Sequence, residues 1–165
     1  MPYRLLSAVL LLSLLAAGAR AATPATGPVV KGFGPVFEVP EGSFTLPDGV
    51  YKVSMDVSRT PEFAGEQTRS LETAARFLNM HARNGVKPEN MKFALVVHGS
   101  ATRDLLQDGA YDRRFDSDNP NTGLLTALAD AGVEIYVCAQ SAAYMKMGFD
   151  EFHPGVTISL SAMSA

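Results

Sequence analysis

Cys138 and His98 are the two residues whose type and position best suit chemistry. Cys138 is the single cysteine of the 165-residue chain, so it closes no intramolecular disulfide. It is a buried bystander, an intermolecular linker or a working thiol. It ends the apolar run Val133–Val137 and leads directly into Ala139-Gln140-Ser141, where a helix is expected to begin. A thiol at a strand-to-helix junction faces free backbone N–H groups and the positive end of the helix dipole, both of which favour the thiolate. The competing reading is a small buried hydrophobe, a common fate of a free cysteine. His98 follows Phe93-Ala94-Leu95-Val96-Val97 and precedes Gly99-Ser100. Its imidazole could take the proton of a thiol or pair with a thiolate, or it could be a hydrogen-bonded structural residue.

Other constellations are weaker. His81, His98, His153 and Cys138 lack the close pairing of a zinc motif, so no metal site is expected. Asp112, Asp116 and Asp118 miss the calcium-loop spacing and read as a solvated segment. No glycine-rich phosphate loop and no G-x-S-x-G elbow occurs, so no nucleotide cofactor is implied. The net charge is −3, without a basic cluster, which argues against nucleic acid as a partner.

The elements that must position Cys138 and His98 follow from periodicity. Tyr51 to Val57 alternates apolar and polar side chains, as a strand with one buried face does. Leu71, Ala74, Ala75, Leu78 and Ala82 mark one face of a helix over Thr68 to Asn84, stopped by Gly85. Met91 to His98 reads as a central strand. Thr102 to Asn119 reads as a long polar loop suited to a lid. Asn119-Pro120 reads as the N-cap and first residue of a helix that Gly132 ends. Val133 to Val137 is a strand, Ala139 to Met147 a helix, and Val156 to Leu160 a further strand. Phe37 and Val39, ahead of the Pro47-Asp48-Gly49 turn, suggest a short edge hairpin. Alternation of strand and helix predicts an α/β fold, a mainly parallel sheet with helices on both faces. In such sheets ligands bind beyond the carboxyl ends of the strands, where both His98 and Cys138 fall.

The N-terminus adds a compartment. Arg4, the apolar run Leu5–Ala19 and small residues up to Ala21 have the form of a secretory signal peptide, residues 1–21. The run is short for a membrane span, so no stable membrane anchor is expected. Cleavage removes Arg4 and Arg20 and makes the exported chain more acidic. Export predicts a periplasmic location, where thiols tend toward disulfides. Residues 22–34, rich in Ala, Thr, Pro and Gly, read as a flexible leader, and 35–165 as one domain.

Phe93 through Ala101, the helix around Leu124 and Leu128, and Gly132-Val133-Glu134-Ile135-Tyr136-Val137-Cys138-Ala139-Gln140-Ser141 together resemble the DsrE/DsrF-like family, closest to its exported members. The resemblance spans about Tyr51 to Met163. It implies a three-layer α/β/α domain that assembles into trimers or hexamers. In the sulfur-relay branch a cysteine at the equivalent strand end carries persulfide sulfur, and Cys138 is similar to that position. The resemblance thus implies a carrier of sulfane sulfur, with His98 assisting and Gly99, Gln140 and Ser141 binding the ligand. Its partners would be sulfur donor and acceptor proteins or small sulfur compounds. The alternatives are a non-catalytic partner-binding module and a redox-sensing thiol. The family pattern usually continues past Ser161-Ala162-Met163 into another helix and strand, so a truncated C-terminus or an uncovered sheet edge is expected.

Overall fold

The computed structural model describes residues 23–165. The expected signal peptide at 1–21 lies outside them. Four strands form one parallel sheet in chain order: β1 (Tyr51–Val57), β2 (Met91–Val97), β3 (Glu134–Cys138) and β4 (Val156–Ser159). Between them lie α1 (Arg69–Arg83), α2 (Asp108–Phe115), α3 (Thr122–Asp130) and α4 (Ala139–Tyr144). The α/β class and parallel sheet are as the alternating pattern requires.

Register sorts the strand residues into two faces. Val53, Phe93 and Leu95 with Ile135 and Val156 line one face, and Val57, Val97, Val137 and Ile158 continue it. These side chains share a single core with Leu71, Ala74 and Leu78 of α1, Ala110 and Tyr111 of α2, Leu124 and Leu128 of α3, and Ala142 of α4. Each fully buried Leu or Val there is worth about 1.5–3 kcal/mol. The other face carries Lys52, Ser54 and Asp56, then Lys92, Ala94 and Val96, then Glu134, Tyr136 and Cys138, and finally Thr157 and Ser159. None of these belongs to the core. Among the described residues, then, the sheet and one helical layer are present, and the helices do not flank both faces as expected. The reason is topological: strands laid down in order by crossovers of one hand stack every helix on one side.

Three other segments depart from expectation. The stretch read as a flexible leader is packed along α1 from about residue 25 onward. Asn79 is fully buried. Its Oδ1 accepts the N–H groups of Val29 at 3.1 Å and Val30 at 2.8 Å, while Nδ2 donates to the carbonyls of Val30, Phe33 and Gly34. Arg83 donates to the carbonyls of Gly27 and Thr26. Gly34 has φ +60°, and a Cβ there would stand 2.3 Å from the Arg76 nitrogen, so only glycine lets the strap lie this close.

The polar stretch after His98 is not a loose lid. Gly99–Leu105 forms a 3-10 turn and α2 follows, with Leu105, Leu106, Ala110 and Tyr111 buried. Asn119 is likewise not the helix N-cap: it is buried, its amide bonding the carbonyls of Asp104 and Leu106, and α3 starts after Asn121. The expected edge hairpin is absent among the described residues. Phe37 and Val39 are exposed and no strand forms between residues 37 and 50.

Asn79→Ala removes the side-chain hydrogen bonds to five backbone groups of the strap, of which the Val30 carbonyl keeps the Gly27 N–H. We expect it to lower unfolding stability by about 2–4 kcal/mol in urea denaturation and to raise amide exchange across residues 29–36. Unchanged exchange there would mean that the strap is held otherwise.

Candidate functional site

The site sits at the carboxyl ends of β2 and β3. The β-branched and apolar run of β2 stops at Val97, and His98 continues in extended backbone at φ −150°. Gly99 then turns the chain with φ +56°. A Cβ at Gly99 would lie 2.8 Å from the Ser58 carbonyl oxygen, so the close approach of this turn to the end of β1 requires glycine. Its N–H is thereby aimed across to β3's side, where it donates to Ser141 Oγ at 3.0 Å.

Cys138 occupies the N-cap position of α4, with φ −71° and ψ 114°. A side chain at that position faces the N–H groups of the second and third helical residues, the donors that a capping Ser or Asp would satisfy. Here the residue is a cysteine, whose sulfur makes no capping hydrogen bond, and only 6% of it is exposed. Burial pushes the thiol pKa up, but the N–H and hydroxyl of Ser141, the N–H of Ala162 and the N–H of Gln140 outweigh it, and the net direction is down. Ser141 Oγ accepts the Gly99 N–H, which ties the turn after β2 to the first turn of α4 beside Cys138. Ala162 belongs to a terminal 3-10 turn, Ala162–Ser164, that lies beside the end of β3.

Gly99, Gln140 and Ser141 line a single open cleft of about 400 Å³ together with Ser100, Tyr144 and Met145. The structure therefore gathers the three residues read as ligand-binding in one cleft, which Cys138 itself does not line. It gives Ser141 a further role, as the acceptor that fixes the Gly99 turn beside the start of α4. His98 is on the same sheet face, one position beyond the Val97–Val137 pair and so level with Cys138. Its ring points elsewhere, with Nε2 at 2.5 Å from Asp56 Oδ1. The imidazole is thus not among the groups on the sulfur. Sequence reasoning passed over Asp56, although its even-numbered place on β1 put it on the face of His98. It also passed over Ala162, whose contribution is a backbone N–H without any sequence signature.

The turn after His98 is anchored from below. Asp104 is 1% exposed and accepts the hydroxyls of Thr60 and Thr68, each at 2.7 Å. Burial pushes its carboxyl above the usual range, opposed by these hydroxyls and by Arg103. Arg103 also donates to the Thr60 hydroxyl and the Pro61 carbonyl, so the β1–α1 connection is fixed against the Gly99 turn.

Of the other histidines, His81 packs against Phe77 and Tyr51 with Nδ1 on the Phe77 carbonyl, and His153 bonds Thr126. Among the described residues no three His, Cys, Asp or Glu side chains gather as a metal site. Nor is any helix among them long and apolar enough to cross a membrane.

The profile of the DsrE/DsrF-like family matches residues 52–165, which include every group on the Cys138 sulfur. The chain belongs to the DsrE/DsrF-like family. A solved structure of a protein of unknown function from Methanobacterium thermoautotrophicum is similar in fold, with a TM-score of 0.51 at 18% identity. The match covers 68% of this chain and 85% of that one. No curated protein matches the chain.

In this DsrE-like site the thiolate is the charged form that gains from the donors, so removing one must raise the thiol pKa. Ser141→Ala is expected to move the pH midpoint of Cys138 alkylation upward, so that less thiolate is present at neutral pH. Alkylation rates across pH for both forms read this directly. An unchanged midpoint would remove Ser141 from the sulfur's environment.

Proposed function

We propose that this protein carries sulfane sulfur as a persulfide on Cys138. The observation that supports this reading best is a thiol at a strand end and helix N-cap position, its pKa lowered by the neighbouring groups of Ser141, Ala162 and Gln140, within a family whose membership suggests a sulfur-relay-like function. The Cys138 thiolate attacks the outer sulfur of a donor persulfide, R–S–SH. A new S–S bond forms to Cys138, the donor's S–S bond breaks, and R–S⁻ departs. The sulfane sulfur changes owner without net oxidation, so no external oxidant is needed. The reverse step, with an acceptor thiolate attacking the terminal sulfur of the Cys138 persulfide, unloads it.

The protein residues hold the thiolate ready and receive the charge that moves. Ser141, Gln140 and Ala162 stabilise the attacking sulfur. His98, held by Asp56 at the same edge of the sheet, lies one strand away from the thiol on the side an incoming donor would meet. Gly99 and Gln140 shape the cleft that admits the donor. A single thiol suffices for a carrier, since release needs no second cysteine in the same chain.

The setting of this function rests on sequence and surface. The N-terminal 1–21 segment has the form of an export signal, which would deliver the carrier to a periplasm. Tyr144, Leu160 and Met163, exposed at 89%, 74% and 96%, flank the site and suit contact with a second copy or with a protein partner. The low exposure of Cys138 favours a second reading, in which the thiol only packs and the domain serves as a partner-binding module.

Incubating the full chain with a sulfane-sulfur donor and measuring intact mass separates the two. A persulfide carrier gains sulfur on Cys138 and loses that gain in Cys138→Ser. If the protein takes up no sulfur while an exposed control thiol does, the carrier reading fails and the packing role stands.

A further inference from the structure

The imidazole of His153 is tied at both nitrogens, and its surroundings fix which one carries the proton. Thr126 Oγ1 donates to the Thr122 carbonyl at 3.0 Å, so toward the ring it can only accept, and His153 Nε2–H donates to it at 3.1 Å. Nδ1 is left as the bare nitrogen and accepts the Gly155 N–H at 3.1 Å. The neutral ring is therefore built into the turn that enters β4. A second proton on Nδ1 would face an N–H donor and find no acceptor. Gly155 is wedged between α3 and the ring, since a Cβ there would stand 2.9 Å from Ala129 Cβ and 3.3 Å from His153 Nδ1. The same turn is closed by the Val156 N–H on the His153 carbonyl at 2.9 Å, and the His153 N–H bonds the Leu105 carbonyl at 2.8 Å. Among the described residues the charge that acts on the ring is Asp108, at the start of α2, whose carboxylate also accepts the Thr122 hydroxyl and the Asn119 N–H. Glu151, earlier in the same connection, is paired with Arg113 and Arg114 of α2, and α3 meets the ring with the uncharged Thr126. Burial outweighs the attraction of Asp108 and holds His153 below the ordinary histidine range.

We propose that the His153–Gly155 contact is a proton-sensitive clasp on the entry to β4: protonation of His153 at Nδ1 expels the Gly155 N–H and loosens the start of β4 from β3. The clasp is independent of the persulfide reading. Val156, the first residue of β4, pairs with Ile135, and Ser159 at its end pairs with Cys138, so the clasp acts on the strand beside the thiol. The fold holds the neutral ring. The clasp is thus complete above about pH 6.5, the ordinary histidine value, and is lost as the pH falls through the lowered value in the folded chain.

Amide exchange of the full chain tests the clasp, measured at about pH 7.5 and at about one unit below the midpoint of the His153 ring, which its proton chemical shifts report. Rates are corrected for the intrinsic effect of pH, and Leu95 and Val97 of β2 serve as the internal reference. At the lower pH Gly155 and Val156 are expected to lose about tenfold in protection relative to β2, the effect of one net hydrogen bond. His153→Asn places a side-chain oxygen where Nδ1 stands, able to accept the N–H two residues on without titrating. This variant is expected to keep the same relative protection at both pH values. The proposal is overturned if Gly155 and Val156 track β2 at both pH values in the wild type, or if His153→Asn loses protection as the wild type does. A ring that stays neutral until the whole chain unfolds overturns it equally.

Discussion

A parallel sheet laid down in chain order by crossovers of one hand has its helices on one side, and most of this structure follows from that constraint. β1 to β4 run in sequence, so α1 to α4 all pack against the face that carries Leu95, Val97, Ile135 and Val137. The opposite face keeps Asp56, Val96, Tyr136 and Cys138. Because all strands point the same way, their carboxyl ends share one edge, and each contributes a residue there. Asp56 comes from β1, His98 from just past β2, Cys138 from β3 and Ser159 from β4. Chemistry at the Cys138 sulfur is therefore a property of an edge and of the face that, among the described residues, α1 to α4 do not pack against, with the helical layer acting as support.

Within that frame, the decisive local competition is between burial and hydrogen bonding. Desolvation alone would make the Cys138 thiol less acidic, as for most buried cysteines. The polar groups of Ser141, Ala162 and Gln140 around the helix N-terminus reverse this and bring the thiol pKa down. Gly99 and Ser141 extend the same arrangement to the neighbouring strand, which explains why a glycine forced into positive φ by the Ser58 carbonyl matters to a thiol on another strand. Support runs deeper through Asp104, whose two threonine hydroxyls tie the β1–α1 connection to the Gly99 turn.

Much of this was legible in the sequence because period carries the information. The two-residue alternation of Tyr51 to Val57 and the helical stripe from Leu71 to Leu78 become β1 and α1 within a residue or two of where the pattern places them. The strand-end rule brought Cys138 and His98 into view, and the family resemblance added Gly99, Gln140 and Ser141. What escaped was set by single polar groups and by topology. Asn79 looks like an ordinary polar residue on a helix until its amide is seen serving five backbone groups of the N-terminal strap. Val30 and Gly34 were the only hints within a stretch of poor apolar content. The helix α2 was hidden by its charges, since only Ala110 and Tyr111 are buried, with Phe115 half-buried at its end. The uncovered face could not be read from the alternation of elements, which is the same whichever side each helix takes; strand order decides it.

The account turns on Cys138 being a thiolate under conditions where an ordinary cysteine is a thiol. Following the ultraviolet absorbance of the thiolate in the full chain through a pH titration, with Cys138→Ser as the blank, measures this most directly. The account predicts a midpoint below the free-cysteine value of about 8.5. A midpoint at or above that value would contradict it, leaving a buried sulfur whose neighbours hold it in place without activating it.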